Sequence, residues 1–122
     1  GPTGADGRRG PRTAVDLEAV VGGRAPRRAR VADLSVVGCL VRIEAALARG
    51  AVLDVTLALP DGPLRVKARV AEASIDGDAP PGAPGFLAGL EFVALAAADE
   101  TRLRALLEAE TKRRRVAHTP PA

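Results

Sequence analysis

Apolar residues recur at every second position through most of the chain, and each alternating run stops at a glycine or proline cluster. Over residues 13–21, Val15, Leu17 and Ala19 share one face while Asp16 and Glu18 take the other, the pattern of a half-buried strand. Gly22-Gly23 suits the positive φ of a tight turn. Residues 28–34 read as the returning strand, with Ala29, Val31 and Asp33 on one face, and residues 38–44 as a third strand carrying Cys39, Val41 and Ile43. After a connection ending at Gly50, Leu53, Val55, Leu57 and Leu59 alternate through residues 51–59. Pro60-Asp61-Gly62-Pro63 marks a turn. Beyond it, Leu64, Val66, Ala68 and Val70 alternate with Arg65, Lys67 and Arg69 through residues 64–73, which predicts a second hairpin. Residues 76–84, with three prolines and two glycines, form a loop, and Phe86, Ala88, Leu90 and Phe92 predict a last strand over 85–94. From 98 to 114 the period lengthens. Leu103, Leu106 and Leu107 make a helical stripe, with Asp99 and Glu100 at the positive end of the dipole and Lys112 to Arg115 at the negative end.

Six short strands followed by one helix predict a mainly β fold: a six-stranded antiparallel barrel with a C-terminal α-helix packed on it. A chain of 122 residues suits one such domain. Aromatics make up only 2% of the residues, so the core is aliphatic and Phe86 and Phe92 are its large rings. The single cysteine, Cys39, excludes an internal disulfide, fits a reducing compartment and, within an apolar strand, reads as a buried structural thiol. The sequence has no run of 18 apolar residues and no signal-peptide pattern, which predicts a soluble, cytoplasmic protein without membrane insertion. Residues 1–7, small and glycine-rich, are expected to be a disordered leader in which Gly1-Pro2 resembles the scar of tag cleavage. Residues 8–12 then form a flexible arginine-rich arm, 13–114 the barrel and helix, and 115–122 a fraying tail.

The net charge of +3 is gathered in three places: Arg8, Arg9 and Arg12; Arg24, Arg27, Arg28 and Arg30; and Lys112 to Arg115. A polymeric nucleic acid is not expected as partner, because neither a recognition-helix pattern nor an aromatic stacking platform accompanies the charge. Catalysis finds no support either. His118 stands in the tail, Asp61, Asp76 and Asp78 fall in loops where turn chemistry accounts for them, and metal-ligand spacing is lacking. The first hairpin is more informative, because it folds the Arg8–Arg12 cluster towards Asp33-Leu34-Ser35-Val36-Val37-Gly38. A turn centred between Gly22 and Gly23 sets Arg12 beside Asp33. A looser loop taking in Arg24 to Arg27 centres near position 24.5 and sets Arg12 opposite Val37. Either way, guanidinium groups meet a carboxylate, a hydroxyl and a glycine, a suitable site for an anionic, hydrogen-bonding ligand. Asp33 and Ser35 also suit an Asx or Ser turn between strands, with Gly38 as a turn glycine.

Arg8-x-x-x-Arg12, about twenty residues ahead of Asp33-x-Ser35-x-x-Gly38, resembles the signature of the PilZ domain family. The resemblance runs from Arg8 to about Leu107 and takes in the Gly89-Leu90-Glu91-Phe92 strand and the leucine-rich helix. It implies a six-stranded barrel that serves as a non-catalytic receptor for the bacterial second messenger cyclic di-GMP, with no other cofactor and a downstream protein partner. Arg8 and Arg12, assisted by Arg9, would then wrap the dianionic ligand by forking onto phosphate oxygens, pairing with guanine O6 and N7 or stacking on a purine. Asp33 would accept from the guanine Watson–Crick edge, Ser35 would bond a base or phosphate, and Gly38 would permit close backbone approach. Gly7 stands where some relatives carry a further arginine and bind a stacked ligand pair, which favours one ligand molecule per chain. A second Arg-x-x-x-Arg, Arg24 to Arg28, ends five positions before Asp33, leaving no room for a strand and return, and reads as surface charge. The competing reading is a ligand-independent interaction domain that keeps the barrel without the binding.

Overall fold

A computed structural model describes residues 12–22, 24–82 and 85–117. The expected leader 1–7, Arg8, Arg9 and the tail from His118 onward lie outside the described residues. Six strands follow in chain order: β1 (Thr13–Val21), β2 (Arg27–Leu34), β3 (Gly38–Ile43), β4 (Val52–Leu59), β5 (Gly62–Ile75) and β6 (Phe86–Val93). They close into a barrel in the order β1-β2-β3-β6-β5-β4, with every neighbour antiparallel, and one helix, α1 (Ala97–Ala117), completes the domain. The predicted barrel with a C-terminal helix is the fold observed.

Side-chain alternation builds the core as the pattern requires. Val15, Ala19 and Val21 from β1, Val55, Leu57 and Leu59 from β4, and Leu64, Ala68 and Val70 from β5 all point inward. Removal of such aliphatic surface from water is the main term favouring the closed sheet. β5 extends beyond the expected strand at both ends. Its last residues, Glu72 to Ile75, pair with Gly89 to Phe86 while remaining exposed, so ladder hydrogen bonds rather than burial keep them extended. α1 buries Leu103 completely and Leu106 and Leu107 in part, and runs to Ala117 rather than ending at Arg114.

Asp61 contributes more than turn chemistry. Arg102 of α1 donates through Nε and Nη2 to its carboxylate at 3.0 and 2.8 Å, and also to the carbonyls of Gly62 and Pro63 at 2.7 and 3.2 Å. The Arg102 hydrogen bond holds the Asp61 carboxyl below its usual pKa. The helix is thereby fastened to the β4–β5 turn.

Two local expectations are corrected. The β1–β2 turn is not a tight Gly22-Gly23 turn: Val21 pairs with Arg27, so the loop spans 22–26 and the register centres at position 24. The reason lies on the other side of β1. Gly22 N–H donates to the Asp54 carbonyl at 2.8 Å, prolonging the β1–β4 ladder and delaying the turn. The second correction concerns Asp33, which does not share the inward face of Ala29 and Val31. A register shift between Val31 and Asp33 inserts one extra residue, so the next inward side chain is Leu34. The bulge spares the barrel a buried carboxylate, which would be costly to desolvate.

Cys39 is fully buried. Burial first, and then the nearby Asp33 charge, push its thiol from 9.0 up to about 12, with Arg12 opposing. An unfolded chain therefore loses this proton before the folded one does. The stability that the neutral thiol contributes is intact below about pH 9 and declines between about 9 and 12, by at most about 1.4 kcal/mol per pH unit. The urea midpoint is expected to drop as the pH rises from about 9 to 11, and to drop less in Cys39→Val. An identical decline in the two proteins would show that the thiol is not responsible.

Candidate ligand-binding site

Arg12 immediately precedes β1, and Asp33 lies one residue from the end of β2. Thr13 pairs with Leu34 and Ala14 with Asp33, so the backbone of Arg12 falls between the two alignments considered from the loop length. Its side chain reaches back along the strand, and Nη1 donates to Asp33 Oδ1 at 2.7 Å. The side chains are 50% and 25% exposed respectively. An exposed pair of this kind is worth about 0–1 kcal/mol, so it opens readily when a better partner for either charge arrives.

Behind this pair, Ser35 to Gly38 forms the turn between β2 and β3. Ser35 N–H donates to the Gly38 carbonyl at 2.9 Å. The Ser35 hydroxyl accepts from the backbone N–H groups of Val37 and Gly38, both at 3.2 Å, and lies 3.3 Å from the Gly38 carbonyl oxygen, to which it donates. With 1% of the residue exposed, the hydroxyl is engaged inside the turn. Gly38 is likewise committed to the barrel. A Cβ there would collide with the Leu90 carbonyl oxygen of β6 and lie 3.1 Å from its carbon and 3.3 Å from Glu91 Cα. The Phe92 N–H closes the same junction by donating to Val37 O at 2.8 Å. Along the Asp-x-Ser-x-x-Gly run, Asp33 faces outward near the end of β2, and the serine and glycine of the turn that follows are bonded and packed within the barrel.

The fold brings Arg12 and Asp33 into contact, and Ser35 and Gly38 lie in the turn that follows β2. Arg24 and Arg28 belong to the other end of the β1–β2 hairpin, where neighbouring Arg27 stands 3.9 Å from Glu44. The nine residues of β1 separate that end from Arg12 by about 30 Å. One cation near the site was not singled out from the sequence. Arg114 Nη2 donates to the carbonyl of Ala14, the residue paired with Asp33, at 2.9 Å. The available signal was the spacing Leu103, Leu107, Glu110, Arg114, which continues the docking stripe of α1 to its last turns. Among the described residues, no group of three His, Cys, Asp or Glu side chains could hold a metal ion, and no helix is long and apolar enough to cross a membrane.

A family model described as the PilZ domain matches residues 6–109. Among solved structures, the PilZ domain with c-di-GMP of YcgR from Escherichia coli aligns with a TM-score of 0.72 at 15% identity, covering 87% of this chain and 92% of that one. The Bacillus subtilis inhibitor of motility MotI/DgrA aligns with a TM-score of 0.70 at 21% identity, covering 88% and 51%. MrkH of K. pneumonia aligns with a TM-score of 0.72 at 14% identity, covering 86% and 48%. The chain therefore spans about half the length of the last two. No curated protein matches its sequence. At these identities the structural likenesses establish the shared barrel.

Proposed function

Because the chain belongs to the PilZ domain family, we propose that it binds cyclic di-GMP at the Arg12–Asp33 corner and acts as a non-catalytic signalling receptor or adaptor. The observation that carries this reading is the outward Arg12–Asp33 pair at 2.7 Å. Ser35 and Gly38 serve the turn, and a barrel that bound nothing would need them equally. Arg12 and Asp33 are different. Neither is required by the core, yet together they offer the donors and acceptors that a guanine dinucleotide matches.

In this reading, Arg12 leaves its exposed partner to fork onto a phosphate or onto guanine O6 and N7. Asp33, released on that side, accepts from the N–H donors of the guanine Watson–Crick edge. Arg8 and Arg9 add further guanidinium groups from the preceding arm, while Ser35 and Gly38 fix the turn that begins two residues after Asp33. A partner protein then reads the occupied face. E. coli YcgR, whose solved PilZ domain contains c-di-GMP, supports the choice of ligand.

Calorimetric titration of the protein with cyclic di-GMP is expected to give saturable binding with one ligand molecule per chain. A flat titration at high protein concentration would overturn the proposal in favour of a ligand-independent interaction domain.

A further inference from the structure

Arg114 reaches β1 from near the other end of the chain, and its surroundings differ from those of the paired arginines on the barrel surface. Arg30 is held by Asp16 at 3.0 Å, Arg42 stands 3.5 Å from the buried Asp76 carboxylate, and Arg113 is held by Glu110. Arg114 instead donates to a neutral backbone carbonyl, and among the described residues no carboxylate compensates its charge. One of its five N–H donors is used, so the rest of the fork remains available to an anion. Its position is well defined. The Arg102 contacts anchor the first half of α1 to the β4–β5 turn, Leu103 is buried and Leu107 partly buried, and Arg114 follows on the same stripe. The side chain therefore meets β1 at Ala14, whose Cα lies about 5 Å from that of its strand partner Asp33.

Resting on the cyclic di-GMP reading above, we propose that Arg114 is a further arginine of the ligand site, supplied by α1, contributing a charge-assisted hydrogen bond to a phosphate oxygen of the dinucleotide while it bridges to the Ala14 carbonyl. The C-terminal end of α1 carries a negative dipole and by itself repels an anion, so the contact depends on this side chain. Lys112 is the natural control: it is exposed and points about 200° around the helix from Arg114.

The test is calorimetry with cyclic di-GMP on the wild type, Arg114→Ala and Lys112→Ala, at low and high salt, with urea melts of each unliganded protein. Arg114→Ala is expected to weaken binding about tenfold at low salt, with a smaller loss at high salt, and to leave the urea midpoint nearly unchanged. Lys112→Ala is expected to bind like the wild type. Wild-type affinity in Arg114→Ala, or equal losses in both variants, would overturn the assignment while leaving the ligand intact. Loss confined to a variant whose α1 has come undocked, seen as a lowered midpoint and a salt-independent defect, would also overturn it. Failure of the wild type itself to bind would instead remove the cyclic di-GMP reading.

Discussion

Gly38→Ala is expected to destabilise the barrel by about 3 kcal/mol or more, the upper range for overpacking, and to leave little folded protein if the native margin is small. The added methyl meets backbone on β6, the Leu90 carbonyl and Glu91 Cα, rather than the end of a movable side chain. Relief requires β3 to move away from β6. That motion strains the pairs Gly38–Glu91 and Cys39–Leu90 and the Phe92–Val37 hydrogen bond that closes the turn. Gly50→Ala is the matched comparison. Gly50 has φ +87° but open space around its missing Cβ, so the cost there is the left-handed strain alone, about 1–2 kcal/mol. Urea melts of the two variants measure the difference, and equally mild effects would show that the β3–β6 contact is not as close as described.

Asp33→Ala and Arg12→Ala are expected to have the second largest effects, on binding rather than on folding. Each removes one arm of a contact worth about 1–3 kcal/mol when bidentate, so cyclic di-GMP affinity should fall by about 5- to 150-fold in calorimetry. The unliganded variants should melt close to the wild type, because an exposed ion pair contributes about 0–1 kcal/mol. The exchanged double variant, Arg12→Asp with Asp33→Arg, separates the two roles. It can restore the ion pair but inverts the donors and acceptors offered to guanine, so binding should stay lost. Recovery of affinity in the exchanged protein would mean that the pair matters only as a structural contact.

Together these outcomes separate a residue whose loss is felt in folding, Gly38, from two whose loss is felt in binding, Arg12 and Asp33. Ser35 and Gly38 are tied into the β2–β3 turn and its junction with β6, whereas the Arg12 and Asp33 side chains are partly exposed and free of the core. The sequence leaves Asp33, Ser35 and Gly38 open to a ligand role or a turn role, and only the family resemblance implies ligand contacts for all six residues of the two motifs. A buried hydroxyl that serves a turn and an exposed one that meets a base look the same in a string of letters.

The alternation of residues 64–70 against three cations already determined the β4–β5 hairpin, and Leu103, Leu106 and Leu107 determined the helix. Those features follow from side-chain periods of two and 3.6, which are local and legible. The convergence of Arg12 and Asp33 was legible too, because an antiparallel return brings them together over a range of turn lengths. Tertiary structure decided the rest. The Gly22–Asp54 bond moved the first turn, a bulge after Val31 turned Asp33 outward, and the approach of β6 gave Gly38 its purpose. The docking of α1 carried Arg114 to Ala14 across a hundred positions of sequence. Each of these depends on which backbone lies beside which, and a one-residue offset in that pairing reverses the face a side chain takes without changing any local pattern.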